Sequence, residues 1–339
     1  MARRTRLHTG LTRRQMLSMS VIGAGGLILS SPAVLRAQAR TLRLGHQWPV
    51  DHPNHLGVQK AAEIVAEKTS GRLTIQIFPS SQLGTGMELA KQINNGSLDI
   101  DADGPGIIGQ WQKPLAILDA PFVVRDWNHL LKIMTTKWAQ DQFKRLADEN
   151  NITTIGEPLY YGMRHMTTRN RALKVPADVK GLKIRVPQVP HFLDMVLAIG
   201  GTPTPMPLAE VYLSLQTGVI DGQENPLATI DSLKFHEVQK YINLTGHILN
   251  PQWYLVSTKT WRSLSKPDQA VLQEAFTAGS KVTNDAMNAL ETKLLDKFKG
   301  IGLNIVDSDR AAFQAAMKPV YQKYESIWGA GVYASLQGL

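Results

Sequence analysis

The sequence predicts an α/β fold in two domains, and three observations carry the prediction. Strand-like and helix-like segments alternate from residue 40 onward. About 300 residues follow an arginine-rich leader, a length that ordinarily makes two domains. One helical stretch, 267–298, would run about 48 Å at 1.5 Å per residue, which is too long for one small lobe. It is expected to span both.

The elements are read in order. Leu42–Gly45 is a short strand. Asn54 is placed to cap a helix that ends near Thr69, with Gly71 as its stop. Leu73–Phe78 alternates apolar and polar residues, as a strand does, and Pro79 ends it. A helix is expected over Met87–Ile93, a strand over Leu98–Ala102, one helix over Trp127–Leu146 and a strand over Ile152–Gly156. This order implies a mainly parallel sheet, whose ligands bind beyond the carboxyl ends of strands. A second block begins near Gly162. It holds a strand over Leu182–Val186, a helix over His191–Ile199 and a helix over Pro207–Thr217. Val219-Ile220 is read as a short strand before a polar loop, Asp221–Asn225. After the long helix come a strand, Gly302–Val306, and a helix broken or kinked at Pro319.

The first 39 residues read as a signal peptide. They carry six arginines and no acid, a short apolar stretch over Met16–Leu29, and small residues at Ala37 and Ala39. The apolar stretch, about 14 residues, is short of the roughly 20 that span a bilayer. Arg13-Arg14 within Thr12–Leu17 suggests the twin-arginine route, hence a periplasmic destination. The whole chain has a formal charge of +9. Without the leader's six arginines, 31 basic residues face 28 acids, leaving about +3. The basic character therefore does not argue for nucleic acid. With no cysteine in the chain, disulfides, thiolate metal sites and a lipidated cysteine are excluded. No later stretch is apolar enough to span a membrane.

Motifs for catalysis or metal binding are weak. Asp99-Ile100-Asp101-Ala102-Asp103-Gly104 opens like a calcium loop, but its twelfth position is Gln110, not glutamate. Read as a strand, it puts Asp101 and Asp103 on one side, near a strand end. His52 and His55 lack a third ligand. Gly104–Gly109 fits a dinucleotide fingerprint only loosely. No metal, cofactor or catalytic residue is expected.

One residue stands out on physical grounds. Arg185 interrupts a strand that otherwise reads as buried at Leu182, Ile184 and Val186. A guanidinium matches a carboxylate through two parallel hydrogen bonds; a structural salt bridge is the other reading of such a residue.

Several ordered motifs give that residue a context. They are Phe78–Gly84, Gly181–Pro187, Thr204–Tyr212, Leu215–Pro226 and Phe235–Tyr241. Across the whole mature chain the sequence resembles the DctP-type solute receptors of TRAP transporters. The resemblance implies a type II-like, two-lobed periplasmic binding protein with a hinge and a long C-terminal helix spanning both lobes. The lobes are expected at 40–161 plus about 251–285, and at 162–250 plus about 286–339. The expected function is non-enzymatic capture of a small organic acid and its delivery to the small and large membrane subunits of a sodium-driven transporter. The alternatives are a receptor of the same fold that reports to a sensor kinase, and a periplasmic enzyme acting on organic acids.

The resemblance also implies site residues. Arg185 and Arg164 map onto the arginines that reach the bound carboxylate, and Asn225 onto the asparagine of the Gly-Gln-Glu-Asn-Pro motif. Gln47 closes over the ligand from the other lobe, and His247 sits at a water-linked periphery. Sialic-acid members carry an acid where this chain has Gly104 and a phenylalanine where it has Leu208, so those contacts are not expected here. Trp48, Trp253 and the Asp101/Asp103 pair are candidates for the other half of the cleft.

Overall fold

The computed structural model describes residues 39–339. The leader, except for its last residue, lies outside the described residues. The chain runs β1 (Arg40–Gly45), α1 (Pro53–Lys68), β2 (Leu73–Phe78), α2 (Gly86–Asn95), β3 (Ile100–Asp103) and α3 (Pro105–Ile108). After a 3₁₀ turn at Lys113–Asp119 come α4 (Trp127–Thr135), α5 (Lys137–Asn150) and β4 (Ile152–Thr168). The middle of the chain holds β5 (Lys183–Val186), α6 (Pro190–Ala198), β6 (Thr202–Pro205), α7 (Val211–Thr217), β7 (Gly222–Pro226), α8 (Leu227–Ser232) and β8 (Tyr241–Ser257). The C-terminal part is α9 (Thr258–Ser263), α10 (Lys266–Gly300), β9 (Asn304–Val306), α11 (Arg310–Ala315), α12 (Lys318–Trp328) and α13 (Val332–Gln337).

Among the described residues the strands form one sheet in the order β2-β1-β3-β8-β4-β7-β5-β6, with β9 paired to β8. It is parallel toward both ends and antiparallel in the middle, where β3 meets β8 and β4 meets both β8 and β7. The expected parallel arrangement therefore holds only for the flanks. The reason is β8: it and β4 are 17 residues each and lie side by side through the centre. The ladder shifts register between Tyr160 and Gly162 and again between Arg164 and Met166. β6 reads Thr-Pro-Thr-Pro and sits at the sheet's edge, where a strand tolerates missing N–H donors.

Several sequence expectations are corrected. The helix expected over Trp127–Leu146 is two, because Thr136 is extended and caps α5 by accepting from the Ala139 N–H. His52, not Asn54, caps α1. The Asn54 amide instead donates to Gln252 Oε1 at 2.9 Å. Residues 221–225 are no loop, since Gly222–Pro226 is an interior strand, and Val219-Ile220 is no strand. The break expected at Pro319 is present: α11 ends at Ala315, and Pro319 lies in the first turn of α12, where its missing N–H costs nothing.

The long helix is present as α10, 35 residues or about 52 Å. It packs on α1, β4, α8 and β9, so it contacts both lobes. Its closest contact is with α1. A Cβ built on Gly57 would lie 2.5 Å from the Gly279 carbonyl oxygen and 2.8 Å from the Tyr254 hydroxyl. Only the missing side chains let the two backbones approach this far.

Candidate ligand-binding cleft

The strand ends converge on one cleft, with about 730 Å³ of empty space that is partly open to solvent. Gln47 and Trp48 follow β1, Asp103 ends β3, and Pro187–Val189 follow β5. Met206–Leu208 follow β6, and Thr85–Met87 sit at the start of α2. These are carboxyl ends of strands together with a helix N-terminus, as expected for an α/β sheet. β4, β7 and β8 add Tyr161, Arg164, Asn225, Asn250 and Gln252 from the middle of the sheet.

Arg185 and Arg164 differ in kind. Arg164 is 4 % exposed and Glu224 is fully buried. Nε and Nη2 of Arg164 donate to the two Glu224 carboxylate oxygens at 2.5 and 2.7 Å. Further donation goes to the Glu224 carbonyl, Asn225 Oδ1 and Asn250 Oδ1. One Nη1 hydrogen is left without a protein partner among the described residues. Burial opposes the Arg164 charge, but the Glu224 carboxylate outweighs it and holds the guanidinium pKa above its ordinary value. Glu224 is likewise opposed by burial, and Arg164 and His247 together hold it below the usual carboxylate range.

Arg185 has no such counter-ion. It is 3 % exposed, and its Nε and Nη2 donate only to the Met206 carbonyl oxygen, at 3.1 and 2.7 Å. Its Nη1 has no hydrogen-bond partner among the described residues. Burial lowers its pKa to about 10, which Glu224 partly offsets and Arg164 reinforces. A charge taken out of water without a partner is costly. Arg185 is thus a strongly anion-seeking group at the cleft wall.

The opposite charges lie elsewhere in the cleft. Asp119 is committed: its oxygens accept from the Gly106 N–H and from His191 Nε2, both at 2.8 Å. Asp103 accepts from the Gly104 N–H at 2.7 Å and meets Gln47 Nε2 only at 3.4 Å. Burial pushes its carboxyl up to about 7, against the lowering effect of that N–H, and Asp119 adds to the rise. Asp101 lies behind it on the same face of β3, fully buried, with no hydrogen-bond partner for its carboxylate among the described residues. Burial, then Asp103, raises its pKa well above the carboxylate range.

Trp48 supports the floor. It stacks between His46 and His52, with ring centroids 5.2 and 5.8 Å away, and tilts toward Tyr161 at 6.1 Å. The Tyr161 hydroxyl accepts from Thr229 Oγ1 at 2.7 Å. Phe192 covers the Arg164 guanidinium at 5.3 Å.

Of the sequence-predicted residues, the fold brings Arg185, Arg164, Asn225, Gln47, Trp48, Asp103 and Leu208 to the cleft wall. His247 and Trp253 are not among its lining residues. His247 lies behind Glu224, its Nε2 3.1 Å from Oε2 and its Nδ1 2.7 Å from Thr245 Oγ1. Trp253 packs on Phe143, because alternation along β8 turns Asn250 and Gln252 toward the cleft and Trp253 away. Sequence reasoning missed Tyr161, Phe192, Asn250, Gln252 and the Met206 carbonyl. Only the polar Asn250 and Gln252, within an otherwise apolar run, carried a signal.

Among the described residues no group of three or more histidines or acids is placed to hold a metal ion, and no helix is long and apolar enough to cross a membrane.

Comparison with known proteins identifies the family. Residues 44–327 match the family model DctP, described as bacterial extracellular solute-binding protein, family 7. The sialic acid-binding periplasmic protein SiaP of Vibrio cholerae is 33% identical over 324 residues, 96% of this chain and 100% of that protein. A TRAP periplasmic solute-binding protein from Polaromonas, solved with D-erythronate bound, superposes with a TM-score of 0.83 at 31% identity, covering 88% of this chain and 98% of that one. One from Roseobacter denitrificans, with L-galactonate bound, gives 0.83 at 30% identity, covering 89% and 98%. The chain belongs to the DctP family of bacterial extracellular solute-binding proteins.

Proposed function

We propose that this protein captures a singly charged sugar acid in the cleft and delivers it to the membrane subunits of a TRAP transporter. The observation that carries the reading is Arg185, a buried guanidinium at the cleft wall with only a carbonyl oxygen to bond. A ligand carboxylate would take its remaining N–H groups. Arg164 would give its last N–H to the same anion or to a neighbouring hydroxyl, and Asn225 and Gln47 would add polar contacts. The bound erythronate and galactonate of the two similar structures are monocarboxylates rich in hydroxyls, which favours that class over plain fatty or aromatic acids. Sialic acid, the ligand named for the Vibrio relative, is disfavoured by Gly104 and Leu208. A Cβ at Gly104 would already sit 3.2 Å from the Pro251 carbonyl oxygen, so the site leaves little room for a longer side chain there.

The two lobes, 40–161 plus about 251–285 and 162–250 plus about 286–339, would close on the ligand. The predicted boundaries after Tyr161 and Asn250 fall inside β4 and β8, close to the register shift at Tyr160/Gly162. Contacts from both sides would favour the closed state over the open one. Export would follow the twin-arginine route to the periplasm.

The test is native mass spectrometry of protein purified without added ligand, followed by calorimetric titration with aldonic and uronic acids after unfolding and refolding. Retained sugar acid, or a raised melting temperature with unchanged ligand, supports capture. Turnover of the acid, or indifference to every acid tried, overturns it.

A further inference from the structure

Arg185 and Asp103 mark two chemically opposite parts of the cleft. They stand on β5 and β3, and β7, β4 and β8 lie between those strands in the sheet. The charged lining residues are Arg164, Arg185, Asp103 and Asp119. Arg164 is matched by Glu224, and Asp119 has both oxygens occupied. What remains is one uncompensated cation and one carboxyl with spare acceptor capacity. An ionised carboxylate offers about four lone-pair positions, and Asp103 uses one on Gly104 and at best a second, weakly, on Gln47.

We propose that Asp103 is a specificity-determining residue that accepts a hydrogen bond from a hydroxyl of the bound acid and repels a second carboxylate, so the cleft takes hydroxylated monoacids and turns away diacids. This rests on the reading of Arg185 as the carboxylate anchor. A diacid held by Arg185 would bring its second negative charge toward Asp103 and Asp119, with no further unpaired cation among the lining residues to meet it. A plain fatty acid would leave the buried Asp103 carboxyl without its partner. Both defects discriminate, since an unmet buried polar group loses its full solvation. The acids facing Asp103 are Asp101 on its own strand and Asp119 on the 3₁₀ turn. Burial, then Asp119, opposes its ionisation, so discrimination against diacids is strongest above its pKa of about 7.

The test is calorimetric titration at pH 8 with two matched sets: erythronate, butyrate and tartrate, then galactonate, hexanoate and galactarate. In the natural protein one hydroxylated monoacid binds about 10- to 100-fold tighter than its unhydroxylated and its diacid counterparts. In Asp103→Asn that monoacid weakens about tenfold and the diacid gains on it, while the unhydroxylated acid changes little. Equal binding of monoacid and diacid in the natural protein overturns the proposal, and that result does not depend on the variant folding. So does a variant in which all three acids weaken in the same proportion, which would mark Asp103 as merely structural. If no acid of either set binds, the anchor reading falls with it; binding that ignores Asp103 sinks only the present inference.

Discussion

Arg164 and Glu224 form a buried two-pronged ion pair on neighbouring strands, with N–O distances of 2.5 and 2.7 Å. The pair takes one of the cleft's two arginines out of play as a net charge. Arg185, on β5 at the other side of β7, is left as the net cation.

Removing the acid from that pair should destabilise the fold. Glu224→Gln leaves two buried guanidinium groups with no carboxylate between them. The expected loss is about 3–5 kcal/mol, the usual cost of stranding one half of a buried pair. Urea unfolding at pH 7.5 of the natural protein and the variant, both free of ligand, checks it.

Arg185 should behave in the opposite way. Arg185→Gln removes a charge that the fold holds against burial, so the ligand-free protein should be as stable or more stable, by about 1–3 kcal/mol. Binding of the acid should weaken by about 2–5 kcal/mol. Unfolding and calorimetry on the same preparation separate the two effects. A variant that lost stability and binding together would mark Arg185 as a structural residue.

Acid should weaken the fold through buried histidines. Burial lowers His46, His52 and His165 to about 3, further aided by neighbouring histidines. Their unfolded value is near 6.5, so between pH 6.5 and 3 the unfolded chain binds more protons than the native one. Stability is therefore full above 6.5 and falls as pH drops below it. Asp103, raised to about 7, and Asp101, also raised by burial, work the other way over part of this range, while His55 and His247, lowered by burial as well, add to the three imidazoles. Each histidine should contribute a decline on the order of 1–2 kcal/mol, less the opposing carboxyl contribution, in unfolding free energies measured at pH 7.5, 6 and 5. His165→Gln should flatten the decline.

The α1–α10 contact should be intolerant of any side chain. Gly57→Ala places a methyl group 2.1 Å from Thr283 Oγ1 and 2.5 Å from a backbone oxygen. The helices must separate, at a cost of about 1–3 kcal/mol. Thermal unfolding measures it, and an unchanged melting temperature would show that the helices part freely.

What the sequence revealed followed from ordinary burial patterns. The long helix, the first strands and Arg185 were readable because apolar periodicity, stop signals and a charge set among Leu182, Ile184 and Val186 are local features. β7 was hidden because Gln223, Glu224 and Asn225 look like a polar loop. They form an interior strand because their polar groups are met inside the protein. Gln223 donates to Thr167 Oγ1 at 3.0 Å, Asn225 donates to Gln223 Oε1 at 2.6 Å, and Glu224 takes Arg164. β8 was hidden for a similar reason: it is buried on both faces, so it shows no alternation. The neutralisation of Arg164 needs Glu224, 60 residues away in sequence, and no local pattern pairs them. Trp253 was misplaced because its aromatic character was visible but its side of the strand was not.

The unbroken passage of β4 beside β8 has a mechanical implication. A pair of globules tied by floppy tethers could melt one at a time and swing at any angle. In the proposed two-lobed arrangement the tether is itself a hydrogen-bonded ribbon, able to flex where its ladder slips, so motion should resemble the bending of a leaf spring along one path. Heating should accordingly melt the whole body in a single step, with neither half surviving the other.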